Sequence, residues 1–115
     1  MSAYKNQYSG NTTMLILKLL DERDMYGYQI IEELAKKSEN VFQLKTGTLY
    51  PILHGLESDG AVTSYDEAAD SRRVRKYYHI TKKGRGLLGK KEEEWAAYTK
   101  GVNRVMEGGG VYVFE

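Results

Sequence analysis

The amino-acid sequence predicts a mainly α domain with a small β-hairpin, an α+β class, from three observations. In the first half of the chain, two segments repeat apolar residues at the spacing of a buried helical face, and a third is apolar almost all round. Two short segments rich in β-branched and aromatic residues follow Gly60, which is typical of paired strands. A long amphipathic stretch occupies most of the remainder. The expected order is therefore three helices, a hairpin and a long helix.

The composition fits one cytoplasmic domain. With 115 residues the chain is long enough to bury one core but too short for two independent cores. The net charge of +1 does not by itself indicate a nucleic-acid partner. Cysteine is absent, which excludes disulfides and thiolate chemistry. No apolar run approaches the roughly 20 residues of a membrane span, and the N-terminus lacks the apolar core of a signal peptide, so we expect a cytoplasmic protein without a membrane partner.

The first helix is expected to begin at Thr13. Asn11 or Thr12 can cap it, which leaves residues 1–10 as an N-terminal arm. The following "MLILKLL" is apolar on nearly every side, so this helix should lie in the middle of the fold rather than at its surface.

A second helix is expected from about Tyr26 to Ser38. It places small and apolar side chains on one face and charged side chains on the other. In the connector that follows, Val41, Phe42 and Leu44 are expected to point inward.

The third helix lies in "TLYPILHGLESDG" and ends at Asp59–Gly60, a usual C-terminal signal. Its apolar face repeats at i, i+3, i+4 and i+7 and consists of Leu49, Ile52, Leu53 and Leu56. Tyr50 and His54 fall on the opposite, polar face. If the helix begins near Thr46–Thr48, Pro51 lies close to the first turn, where a missing N–H is tolerated.

The hairpin is expected to pair "AVTSYD" with "VRKYYHI" across a loop, "EAADSRR", that is too long for a two-residue turn. Thr81 can then cap a long helix that reaches about Met106, and residues 107–115 would form a tail. Glycines at the start of this helix should weaken it by roughly 1 kcal/mol each if exposed.

Basic residues concentrate in one window. Nine of the 17 lie between residues 72 and 91 without an intervening acid, namely Arg72, Arg73, Arg75, Lys76, Lys82, Lys83, Arg85, Lys90 and Lys91. Such a concentration favours phosphate contact, because each neutralised phosphate releases condensed counterions. The alternative interpretation is a solvated charged face.

Three helices with a hairpin beside the third indicate a winged helix-turn-helix, in which the third helix enters the DNA major groove. The side chains expected to read bases are Thr46, Thr48, Tyr50 and His54. Those expected to hold the backbone are Lys45, Arg72, Arg73, Arg75 and Lys76. Two alternatives stay open: Tyr50 packs on the hairpin with His54 uninvolved, or the winged helix is a protein-interaction module without specific DNA binding.

Two motifs resemble those of the PadR family of transcriptional regulators. "TLYPILHGLESDG" is similar to that family's recognition helix, and "RKYYHITKKG" is similar to the end of its wing. The resemblance implies a homodimeric repressor that binds a pseudo-palindromic operator. It also implies a DNA-binding domain over residues 11–80 and a dimerisation helix over residues 81–106.

The single terminal helix resembles the short-chain, multidrug-sensing branch of that family. The resemblance implies that Trp95 flanks a planar aromatic effector in a pore at the dimer centre. From the residues alone, the default interpretation of Trp95 is a packing role in the core or at an interface. Other side chains expected at that pore are Thr13, Met14, Tyr98, Thr99 and Val102. The charged residues 91–94 depart from an apolar drug cavity. Independently of the family, Leu88, Trp95 and Val102 are seven apart, as on the seam of paired helices.

No catalytic or metal motif is found. His54 and His79 lack the spacing of a zinc site, and His79 is interpreted as a half-buried strand residue. "GRGLLG" has the glycine spacing of a dinucleotide-binding turn but lacks the acidic residue and the second βαβ unit that such a site needs. We therefore expect no cofactor, no metal and no enzymatic activity.

Overall fold

A computed structural model describes residues 2–70 and 72–111 of the chain. The elements in these residues are α1 (Ser2–Glu22), β1 (Met25–Tyr26), α2 (Gly27–Lys37), α3 (Thr46–Ser58), β2 (Val62–Asp70), β3 (Arg73–Ile80) and α4 (Lys82–Val111). The predicted α+β class is confirmed, and so are the bounds of the second helix to within one residue. The β2–β3 hairpin is called the wing below.

One hydrophobic core joins α1, α2, α3 and the inner end of the wing. Its most deeply buried large side chains are Ile16, Leu17, Leu20, Met25, Ile30, Leu49, Leu53, Val62, Tyr78 and Ile80. The expectation that the apolar first helix lies in the middle of the fold is therefore confirmed. Val41 was expected to point inward, which is wrong, because it is 72% exposed.

The three strands form an antiparallel sheet in the order β1-β3-β2. β1 is too short to leave a periodic signal, and the sequence did not predict it. The long loop predicted for the hairpin is wrong, because only residues 71–72 separate the strands. Opposite charges face each other across the outer rungs, in the register pairs Asp66↔Lys76, Glu67↔Arg75 and Asp70↔Arg73. Such cross-strand charge pairs favour strand pairing in a segment with few β-branched residues.

Helix α3 begins after Lys45 and buries Leu49, Leu53 and Leu56. This start lies within the predicted range Thr46–Thr48, and Pro51 lies inside the helix, just beyond the first turn. It has no N–H to offer the Gly47 carbonyl, so the helix continues without that hydrogen bond. The helix ends before Gly60, whose φ of 79° lies in the left-handed region that favours glycine.

The predicted cap of α4 is confirmed, since the Gly84 amide donates to Thr81 Oγ1 over 3.0 Å. Gly84 is buried, and a Cβ there would overlap the Ala61 carbonyl oxygen. Because glycine has no Cβ, α4 can start directly against the α3–β2 junction. This glycine is therefore a packing requirement, and the destabilisation predicted for exposed glycines does not apply to it.

The start of the first helix and the end of the last helix differ from the prediction. Helix α1 begins at Ser2 rather than at Thr13, and Thr12 is buried within it instead of capping it. Helix α4 continues to Val111 rather than ending at Met106, so its glycines do not act as a stop signal. Residues 112–115 of the predicted tail lie outside the described residues.

Candidate nucleic-acid interface

A groove of about 850 Å³ lies between α2, α3 and the wing, and is called the α3–wing groove. Its lining residues are Tyr26, Gly27, Tyr28, Glu32, Tyr50, His54, Arg73, Val74, Arg75, Lys76 and Tyr78. Aromatic rings and cations dominate this lining, and Glu32 is its one acid. The groove is therefore suited to an anionic partner with flat groups.

On the helix side of the groove, Tyr50 is half-buried and His54 is exposed. Their ring centroids are 6.4 Å apart, so the two side chains occupy successive turns of one face. The Tyr50 hydroxyl lies against the first residue of α2, where a Cβ on Gly27 would overlap it. Gly27 thus leaves room for the tyrosine, a requirement that the sequence pattern did not reveal.

On the wing side, Arg73, Arg75 and Lys76 line the groove. Asp70 accepts hydrogen bonds from the amides of Arg72 and Arg73, each over 3.2 Å, and so shapes the tip of the hairpin. Within the described ranges, neither these three side chains nor that of Arg72 forms a salt bridge. Their charges are therefore available to a partner.

The groove brings together Tyr50, His54, Arg73, Arg75 and Lys76 of the residues predicted from the sequence. The other predicted residues are exposed but do not line it: Lys45, Thr46 and Thr48 lie at the start of α3, and Arg72 lies at the wing tip. They extend the same surface along the chain, and their contacts with DNA stay a prediction.

Two contacts fix the wing relative to α3. The Ser64 hydroxyl donates to Glu57 Oε2 at 2.7 Å, which ties β2 to the last turn of the helix. Tyr78 is buried beneath the groove, and burial, with smaller effects from nearby Tyr50 and Glu57, raises the pKa of its hydroxyl. These contacts therefore hold the core end of the wing in a fixed position relative to α3.

Asp24 makes a third attachment, which the sequence analysis missed. Its carboxylate accepts a hydrogen bond from the Tyr65 hydroxyl at 2.7 Å and lies 2.8 Å from His79 Nδ1. Burial alone would raise the pKa of Asp24, but these hydrogen bonds outweigh it and lower the pKa. The same hydrogen bond raises the pKa of Tyr65 to about 12. One carboxylate thus clamps both wing strands to the α1–β1 connection.

Away from the groove, α4 exposes an apolar surface. Trp95 is 41% exposed and stacks on Tyr98 with ring centroids 5.8 Å apart. Thr99 donates from its hydroxyl to the Trp95 carbonyl. A shallow groove of about 460 Å³ follows, lined by Ala97, Tyr98, Gly101, Val102, Val105 and Met106. Of the other predicted pore residues, Met14 packs in the core and Thr13 is half-buried.

Two further kinds of site were sought in the described residues. No cluster of three or more histidine, aspartate or glutamate side chains is placed to hold a metal there. None of the helices described combines the length and the hydropathy that crossing a membrane requires.

Comparisons with known proteins identify one matching family and several similar proteins. The model of the transcriptional regulator PadR-like family matches residues 16–90. An uncharacterised protein of Lysinibacillus sphaericus is 35% identical over 99 residues, covering 86% of this chain and 91% of the relative. A transcriptional regulator from Clostridium thermocellum is similar in structure, with a TM-score of 0.77 and 35% identity over 83% of this chain and 92% of that one. For a PadR family transcription regulator from Clostridium difficile the TM-score is 0.69, with 34% identity over 82% and 96%.

We predict that Asp24→Asn lowers the free energy of unfolding at pH 7 by about 1 kcal/mol, because a partly exposed carboxylate loses two charge-assisted hydrogen bonds. The pKa of Asp24 is lower in the folded chain than its ordinary 3.8. Its ionised form therefore stabilises the fold above that pH, and this contribution is lost as the pH falls through the folded pKa. Urea unfolding of both proteins from neutral to acidic pH measures the difference, which should shrink below about pH 4.

Asp59→Asn is the matched control, since it removes the same charge from an exposed position whose carboxylate has no hydrogen bond or salt bridge among the described residues. It should leave stability within about 0.5 kcal/mol of the parent. A loss of unfolding free energy for Asp24→Asn that is equally small, or that grows as the pH falls, contradicts a stabilising role for the Asp24 hydrogen bonds.

Proposed function

Because the chain belongs to the PadR-like family of transcriptional regulators, we propose that it binds duplex DNA as a homodimer and represses transcription from a pseudo-palindromic operator. Members of this family are DNA-binding regulators and not enzymes. The repressor activity, the operator symmetry and the contact residues are the parts that we propose beyond family membership.

The observation that carries this proposal is that α3 and the wing present one continuous surface. Tyr50 and His54 of the helix share the α3–wing groove with Arg73, Arg75 and Lys76 of β3. An α-helix with its side chains is about 10–12 Å in diameter and fits the major groove, which is about 12 Å wide. With α3 in that groove, the wing cations lie beside it, where they can neutralise the flanking phosphates.

Roles follow from position on this surface. Side chains on the outer face of α3, namely Thr46, Thr48, Tyr50 and His54, would meet base edges, since hydroxyl and imidazole groups can donate and accept hydrogen bonds. Lys45 and the wing cations, namely Arg72, Arg73, Arg75 and Lys76, would hold the backbone. The competing function, a protein-interaction module without DNA binding, would require an acidic protein partner for the unpaired cations of the groove.

Dimerisation is proposed through α4, from residue 81 to about residue 106, with residues 11–80 as the DNA-binding domain. Tyr98, Val105 and Met106 are 56%, 78% and 74% exposed along one helix, which is costly for a monomer. Pairing with a second copy would cover them. A two-fold axis would then place two α3 helices about 34 Å apart, in successive major grooves.

A planar aromatic effector is proposed to bind where the two copies meet. The stacked and exposed rings of Trp95 and Tyr98 support this, because flat ligands stack on such faces. The effector would shift the dimer away from the spacing that the operator requires.

We predict that Arg73→Ala weakens binding to every duplex sequence and reduces the slope of log affinity against log salt by about one unit, because one phosphate contact is lost. Fluorescence anisotropy with a labelled random-sequence duplex, repeated across a range of salt concentrations, measures both quantities.

Arg104→Ala is the control, since this exposed arginine lies on α4 outside the groove. Its slope should equal that of the parent. If the parent itself fails to bind duplex DNA at low salt, the protein-interaction alternative replaces our proposal; an unchanged slope for Arg73→Ala removes this arginine from the interface.

We predict that Val102→Asp turns the dimer into a monomer, because it places a charge in the apolar seam of α4. Sedimentation equilibrium measures the mass, and Lys100→Asp, on the outer side of the same helix, should leave the dimer intact.

Planar aromatic compounds should quench Trp95 fluorescence in the dimer and not in Val102→Asp. A monomeric parent contradicts the dimer, and equal quenching in both proteins contradicts a pore at the interface.

A further inference from the structure

We infer that Tyr26 is a positioning residue for the DNA contact of Arg75, an inference that rests on the proposed function. The guanidinium carbon of Arg75 lies 4.3 Å from the centroid of the Tyr26 ring. This distance is well within the range of a cation–π interaction. Both residues line the α3–wing groove, so the stacked pair lies at the proposed interface and not behind it.

A contact through the guanidinium face would leave the hydrogen-bonding edge of Arg75 free. A guanidinium packs on a ring through its flat face, whereas its five N–H groups point outward in the plane. Among the described residues Arg75 has no salt-bridge partner, although Glu67 lies opposite it in the strand register. The arginine is therefore held in place while its donors stay available to a phosphate or a base.

Tyr26 is itself held rigidly from three sides. Its backbone pairs with Tyr77 in the sheet and caps the start of α2. Its ring meets the ring of Tyr77 edge to face, with centroids 5.4 Å apart. Tyr77 in turn stacks on Tyr65 at 5.7 Å, and Tyr65 is bonded to Asp24. A row of three rings thus crosses the sheet and presents a fixed face to Arg75.

This arrangement lowers the cost of binding. A free arginine loses side-chain entropy when it settles on a phosphate, and a side chain held in advance loses less. The effect expected from removing the ring is a loss of about two- to fivefold in affinity, the range that an exposed cation–π contact supports. The effect should depend on the aromatic face and not on the tyrosine hydroxyl.

The test is a double-mutant cycle on the full-length chain with Tyr26→Leu, Arg75→Gln and the two combined. Anisotropy with a labelled random-sequence duplex gives affinity and salt slope, and thermal unfolding checks that each variant is folded. Tyr26→Leu should lower affinity about two- to fivefold and leave the salt slope near that of the parent, because Arg75 keeps its charge. Arg75→Gln should lower both affinity and slope, and the double variant should be no weaker than Arg75→Gln alone. Tyr26→Phe keeps the ring face and should restore the affinity and slope of the parent.

Tyr28→Leu is the matched control, because it removes an exposed tyrosine from the same groove two residues further on. In the double variant, the fold loss of affinity from Tyr28→Leu should multiply with the fold loss from Arg75→Gln, as expected for two independent residues. The inference is overturned if Tyr26→Leu and Arg75→Gln also multiply, if Tyr26→Phe is as weak as Tyr26→Leu, or if Arg75→Gln binds like the parent. A parent that does not bind the duplex overturns the proposed function as well, so the two failures are distinguishable.

Discussion

The burial of Tyr78 and Ile80 is the constraint on which the rest of the interface depends. These two residues are 2% and 1% exposed, and they anchor β3 in the same core as Leu49 and Leu53 of α3. Because a strand alternates its faces, fixing the inner residues of β3 also fixes the direction of the outer ones. Lys76 lies on the same face of β3 as Tyr78 and Ile80, whereas Arg73 and Arg75 lie on the opposite face. The hydrophobic contact therefore fixes the directions of the wing cations before any partner binds.

The outer face of the sheet adds a second layer of order. The rings of Tyr26, Tyr77 and Tyr65 form a continuous row, and Asp24 closes its far end through hydrogen bonds. Forming these contacts costs little desolvation free energy, because the side chains that make them stay partly exposed to solvent. Together they stiffen a three-stranded sheet whose edge strand β1 has only two residues.

The sequence predicted what local patterns encode and missed what distant contacts decide. The apolar spacing in α3 and the cluster of cations in β3 are local, so both were found. The partners of Asp24 are 41 and 55 residues away, and no spacing indicates them. The full length of the wing could have been found, because its outer rungs pair opposite charges. The space that Gly27 leaves for Tyr50 depends on how two helices meet, which periodicity does not determine.

The most direct measurement of a common surface is a nuclear magnetic resonance titration of the labelled chain with duplex DNA. If α3 and the wing bind together, the amide signals of residues 45–54 and 72–76 should shift along one saturation curve, while those of α4 beyond residue 100 stay unchanged. Shifts confined to one of the two elements, or saturating at different DNA concentrations, would contradict the account.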